Sequence, residues 1–127
     1  MKKISLIIMM LIFIHCSCNF FNQLSFDEDL TSIINLKYSN EKVPVDLIEI
    51  TDFDWDNYIM IGSYQVPDSI GKKYDIDLSN ISKYASSDDT KFLLVFIKNK
   101  KAIKMCLFNN NVKITKTKIL KSKKDKE

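Results

Sequence analysis

Two apolar runs constrain the fold of this chain more than any other feature. Phe92-Leu93-Leu94-Val95-Phe96-Ile97 and Ala102-Ile103-Lys104-Met105-Cys106-Leu107-Phe108 flank the polar Lys98-Asn99-Lys100-Lys101. Apolar, β-branched and aromatic runs joined by a short polar link read as a β-hairpin. Asn99 tolerates the positive φ that a tight hairpin turn demands. Successive residues of a strand point to opposite faces, and the first arm is apolar on both. It is therefore expected to be a central strand, covered on two sides.

The other elements are read outward from this hairpin. Ser25-Phe26-Asp27-Glu28 has capping-box spacing, with Ser25 as N-cap and Glu28 reaching back. Asp27 and Asp29 suit the positive end of a helix dipole. Phe26, Leu30, Ile33 and Ile34 share a face at helical spacing, so an amphipathic helix is expected from Phe26 to about Lys37. Val45 to Thr51 and Asn57 to Tyr64 read as strands. A short helical stretch follows Pro67, with Ile70 and Tyr74 four apart and Gly71 in its middle. Asp75 to Thr90 reads as a long irregular segment. Val112 to Ile119 alternates lysine and threonine with a few apolar residues, as in an edge strand protected by lysines. The expected class is α+β: a small single domain with a mainly antiparallel sheet and an N-terminal amphipathic helix.

The start of the chain carries a different signal. Lys2 and Lys3 precede an apolar run from Ile4 to Ile14, broken only by Ser5. Spanning a bilayer takes roughly 20 apolar residues, so this run has the length of a signal-peptide h-region instead. His15-Cys16-Ser17-Cys18 follows. A lipoprotein signal peptidase needs a small residue before the cysteine that becomes the new N-terminus. Ser17 supplies one for Cys18, whereas His15 precedes Cys16, which is the second choice. The match to a lipobox is partial, because His15 also stands where an aliphatic residue is usual. The expected layout is a signal peptide at 1–17, a tether at 18–25, an α+β domain at 26–119 and a basic tail at 120–127. Ordinary cleavage without lipid, giving a secreted or periplasmic soluble protein, is the alternative.

Composition then removes whole classes of chemistry. The chain has 127 residues and a net charge of +3, with 46% hydrophobic and 28% charged residues, as in a folded domain. About 110 residues remain after a signal of this length, enough for one core without disulfides. Its one histidine is His15, inside the expected signal. Serine–histidine–acid triads, cysteine–histidine dyads and histidine-based metal sites are thereby excluded from the mature protein. All basic side chains are lysines, so no bidentate arginine clamp can form. Lys113 to Glu127 carries seven lysines against two acids, a local +5, while Asn19 to Val112 carries ten lysines and fourteen acids, a local −4. The tail reads as a solvated terminus. Near a membrane it would gain about 1 kcal/mol per lysine from anionic headgroups. Cys106 lies in an apolar strand and is expected to be a small buried hydrophobe. If Cys16 were the lipidated residue, Cys18 and Cys106 could pair.

The conspicuous polar motif is Asp52-Phe53-Asp54-Trp55-Asp56. As an EF-hand loop it fails, since Asn57 holds the glycine position and Ser63 the bidentate glutamate position. In extended chain the three aspartates point one way, and Phe53 and Trp55 the other. An acidic exposed face above two aromatic core anchors is expected. Metal binding or carboxylate-dependent hydrolysis through Asp52, Asp54 and Asp56 is the alternative. Neighbouring carboxylates there would sit ~6–7 Å apart by strand rise.

The same run, with the apolar strand Tyr58 to Ile61, Tyr64, Pro67, Ile70, Phe92 to Ile97 and Lys101-Ala102-Ile103, resembles a group of small exported bacterial proteins. They share an Asp-Trp-Asp, apolar strand and tyrosine pattern. The resemblance covers roughly Asp52 to Phe108. It departs at Ser63, where such proteins often have a proline. It implies a shared fold and no mechanism. The functional expectation is an exported, lipid-anchored protein of the bacterial cell envelope, a binding or structural module without a catalytic site. Its expected contacts are the membrane, through the anchor, and a protein partner in the envelope. No cofactor and no nucleic acid are expected.

Overall fold

The computed structural model describes residues 23–81 and 89–119. The expected signal peptide, Cys16, Cys18 and the basic tail lie outside the described residues. The elements run in the order α1 (Glu28–Glu41), α2 (Leu47–Ile50), β1 (Asn57–Ile61), α3 (Pro67–Tyr74), a 3-10 turn (Ser79–Ile81), β2 (Lys91–Lys98) and β3 (Lys101–Asn109). The strands form a three-stranded antiparallel sheet in the order β1-β2-β3. A three-stranded sheet with a few helices is compatible with the expected α+β class.

β2 is the central strand, as its two apolar faces require. Leu93 to Ile97 are all buried. Leu94 and Phe96 point into a first layer beside Leu30 and Ile34 of α1, Leu47, Trp55, Tyr58 and Cys106. Leu93, Val95 and Ile97 point into a second layer beside Ile70, Leu78 and Ile81. Burying an apolar side chain of this size contributes about 1.5–3 kcal/mol, so this one strand contributes to both layers at once.

The hairpin turn is the tight one expected. Lys98 pairs with Lys101, and the two residues between them, Asn99 and Lys100, have φ of 51° and 62°. Positive φ at both central positions matches the right-handed twist of the flanking strands. A β-bulge interrupts the pairing: Phe96 faces Lys104 but Ile97 faces Ala102, leaving Ile103 as an extra residue. Ala102 and Met105 are an odd number of positions apart, yet both enter the second layer. The inserted residue reverses the alternation and makes that possible.

Several expected elements come out differently, each for a local reason. α1 is capped by Asp27 and not by Ser25. Asp27 Oδ1 accepts the Leu30 N–H at 3.0 Å, and the Asp27 N–H itself donates to the Met105 carbonyl at 2.9 Å. That second bond fixes the chain as a bridge beside β3 before the helix begins, which moves Phe26 out of the helix. α1 buries Leu30 and Ile34 but leaves Ile33 exposed. It runs past Lys37 to Glu41, with Tyr38 packed on the core and Lys42 closing it in the left-handed region.

Val45 to Thr51 is not a strand. Asp46 Oδ1 accepts the Ile48 N–H at 3.0 Å, and the Thr51 hydroxyl donates to the Leu47 carbonyl at 2.7 Å. A cap at each end selects one helical turn over extended chain. Val112 to Ile119 is not an edge strand either. Its backbone bonds go to Val45 and, at Lys118, to the Tyr58 N–H. Only single bridges form, Val45 with Ile114 and Tyr58 with Ile119. The expected helix after Pro67 is present. Gly71 fits there because a Cβ would lie 2.9 Å from the Ile76 carbonyl oxygen. Within the segment expected to be irregular, Asp77 bridges Lys101 and Ser79–Ile81 forms one turn; residues 82–88 lie outside the described residues.

Asp27 ties three elements together, since its other oxygen accepts from Lys104 Nζ at 2.8 Å. That hydrogen bond, with the Leu30 N–H next in weight, holds the Asp27 carboxyl below the usual carboxylate value. A depressed folded-state value contributes stability that is present above the unfolded value and lost as pH falls through the folded one. Asp27→Ala is expected to cost about 1–2 kcal/mol at neutral pH, measured by urea unfolding. The difference from the parent protein should shrink as the pH is lowered through the acid range.

Candidate functional site

The acidic run is the first candidate, and the structure places it as a connector between α2 and β1. Trp55 is 5% exposed and packs edge-on against Phe96 and Tyr58, with ring centroids 5.1 and 6.3 Å away. Its indole N–H donates to the Thr51 hydroxyl at 2.9 Å. Phe53 packs edge-on against Phe96 at 5.0 Å. Both rings also lie under ammonium groups, Lys104 over Phe53 at 4.5 Å and Lys118 over Trp55 at 4.9 Å. The aromatic residues are therefore core anchors, as expected.

Asp52, Asp54 and Asp56 are all exposed. Asp54 accepts from Lys98 Nζ at 2.6 Å, which holds its carboxyl below the usual value. Asp56 accepts from the Asn99 N–H at 2.8 Å, and its own N–H donates to the Ile97 carbonyl. Two of the three acids thus clasp the end of the β2–β3 hairpin. Among the described residues, no group of three or more His, Cys, Asp or Glu side chains is placed to hold a metal ion.

Cys106 is free and buried in the first layer. Burial pushes its thiol up to about 11, against a smaller opposing pull from the Thr31 hydroxyl. A thiol this far from ionisation at neutral pH is a poor nucleophile.

Two concave surfaces stand out among the described residues. The first is a cleft of about 730 Å³ beside α3 and the hairpin turn. Three acids, Asp68, Asp75 and Asp77, line it together with Lys72, Lys100 and Lys101. Lys100 Nζ lies 3.4 Å from Asp75, and Asp77 accepts from the Ser79 hydroxyl at 2.6 Å. The second is an apolar groove of about 710 Å³ on the first face of the sheet. Tyr58, Met60, Phe92, Val112, Ile114 and Ile119 supply its apolar lining, and Pro44 closes one side. Lys113 and Lys116 are the charged groups that line it among the described residues.

The origin of the groove is the edge strand that does not form. α1 covers the part of the first face around Leu94 and Cys106, and 112–119 meets β1 at Tyr58, through Thr115, Lys118 and Ile119. Met60, Phe92, Ile114 and Ile119 stay half-buried as a result. The sequence reading places Met60 in a strand and Ile114 and Ile119 in another, without bringing them together. The alternation of Val112 and Ile114 with Lys113 carried the signal, but as a strand pattern.

Comparison with known proteins gave no match: no family model, curated protein or solved structure matches the chain. Nothing in the described residues supports enzyme activity.

Two outcomes follow from this arrangement. Trp55→Ala should destabilise the fold by about 3–5 kcal/mol, whereas Asp54→Asn should leave the melting temperature essentially unchanged, since its ion pair is exposed. In the native protein, Cys106 should react with a chromogenic disulfide reagent at pH 8 far more slowly than after unfolding in guanidinium.

Proposed function

We propose that this chain is an exported binding protein of the bacterial cell envelope, held at a membrane by acylation of Cys18 and acting through its surface. The observation that carries this reading is the run of Lys2-Lys3, the apolar Ile4 to Ile14 and Ser17-Cys18. A lipoprotein acquires a diacylglycerol and an amide-linked chain, and two or more acyl chains anchor firmly where one does not.

The fold supports the reading in two ways. Gln23 and Leu24 are already attached: Gln23 Nε2 donates to the Ser79 carbonyl and the Leu24 N–H to the Asn80 carbonyl, both at 2.8 Å. Five residue steps separate Cys18 from Gln23, a reach of at most ~18 Å. An anchor at Cys18 would therefore hold one α+β domain close to the lipid surface. Several reactive groups are meanwhile engaged within the fold, with Asp54 and Asp56 on the hairpin, Asp27 on α1 and Lys104, and Cys106 in the core. The open apolar groove offers a surface for recognition.

Intact-mass spectrometry of the protein extracted from the membrane fraction of a bacterial host tests the anchor. A chain beginning at Cys18 with about two to three acyl chains attached is expected. An unmodified chain, or one that retains residues 1–17, would contradict it.

A further inference from the structure

We infer that the apolar groove is a site for a single-chain anionic amphiphile, with the alkyl chain against Met60, Phe92, Ile114 and Ile119 and the charged head beside Lys113 and Lys116. The inference rests on the reading of the protein as a binding module and specifies what it binds.

Volume, lining and charge each bear on this choice. The groove measures about 710 Å³, within the roughly 300–1,000 Å³ typical of small-ligand sites. Its floor is the sheet face at Tyr58 and Met60, and its far wall is 112–119. The Tyr58 hydroxyl is already used, donating to the Thr115 carbonyl at 2.9 Å. The floor at Tyr58 and Met60 therefore offers apolar contact, which suits a hydrocarbon chain, while Asn110 and Thr115 add uncharged polar groups to the lining. The charged lining is of one sign: Lys113 and Lys116 are exposed, and no acid accompanies them among the described lining residues. A ligand that satisfies both features has an apolar body and an anionic end. By contrast, the mixed cleft beside α3 carries three acids among three lysines and selects for no net charge.

Other occupants fit less well. Residues 120–127 contain one apolar side chain, Leu120, and four lysines, too little to fill an apolar groove and of the same sign as its rim. A second copy meeting this face about a two-fold axis would set lysine rim against lysine rim.

Calorimetric titration of the mature chain, made without its acyl anchor, tests the inference with dodecanoate kept below its micelle concentration. Saturable one-to-one binding is expected. Dodecyltrimethylammonium, with the same chain and a cationic head, should bind at least about tenfold more weakly. The doubly substituted Lys113→Gln, Lys116→Gln protein should lose about tenfold in dodecanoate affinity, near 1.4 kcal/mol. Both lysines are exposed, so an unchanged melting temperature is the check that the variant is folded. Absence of saturable binding, equal affinity for the cationic amphiphile, or full affinity in the double variant would each overturn the inference. So would tight binding to phosphatidylglycerol vesicles that dodecanoate does not compete, which would make this face a membrane contact. None of these outcomes touches the mass measurement at Cys18, so the ligand class and the anchor can fail separately.

Discussion

The burial of β2 on both faces is the constraint from which the rest of the structure follows. A five-residue stretch with no exposed side chain, Leu93 to Ile97, must be flanked by strands and covered by two layers. β1 and β3 supply the flanks. On the second face, α3 and the turn at Ser79–Ile81 bring Ile70, Leu78 and Ile81 onto Leu93, Val95 and Ile97. On the first face the cover has two parts, α1 over Leu94 and Cys106, and the segment 112–119 toward β1. The groove lies on this face where 112–119 leaves Met60 and Phe92 partly uncovered. The outer edges of the sheet are blunted by single bridges, Phe26 and Asp77 along β3 and Ile119 along β1, which limits the exposed ladder available for strand-to-strand association.

Charge is used to fasten elements whose apolar contacts alone would leave them loosely oriented. Asp27 caps α1, bonds β3 through its N–H and accepts from Lys104. The Lys104 ammonium also lies over Phe53, so one lysine joins α1, β3 and the aromatic connector. At the hairpin end Asp54 and Asp56 make exposed contacts to Lys98 and the Asn99 N–H, which orient the turn and add little to stability. Two of the three acids that look like a ligand set in the sequence thus contact the hairpin end instead of converging on one point.

The hairpin, the central position of its first arm and the inward turn of Phe53 and Trp55 were legible in the sequence, because each rests on strand alternation or on a single turn residue. The helix after Pro67 was legible for the same local reason. Other elements depended on competitions that alternation cannot weigh. Val45 to Thr51 has strand composition, but Asp46 and Thr51 cap it as a helical turn. Ser25 has the spacing of an N-cap, but the Asp27 N–H is held by Met105, a residue 78 positions away, and the helix starts after it. Val112 to Ile119 alternates like a strand, but its hydrogen bonds are taken by Val45 and the Tyr58 hydroxyl. The groove was invisible for that reason, being the product of a strand that does not form and of side chains from four separate segments.

The groove can be separated from the acidic run by one titration. Amide and methyl NMR spectra of the isotope-labelled protein, recorded as dodecanoate is added, locate the responding residues directly. The expected result is a set of saturable shifts at Met60, Ile114, Thr115 and Ile119, with Asp52, Asp54 and Asp56 unmoved. Shifts centred on those three aspartates, or none above the effect of added salt, would contradict the assignment of this protein's working surface to the apolar groove.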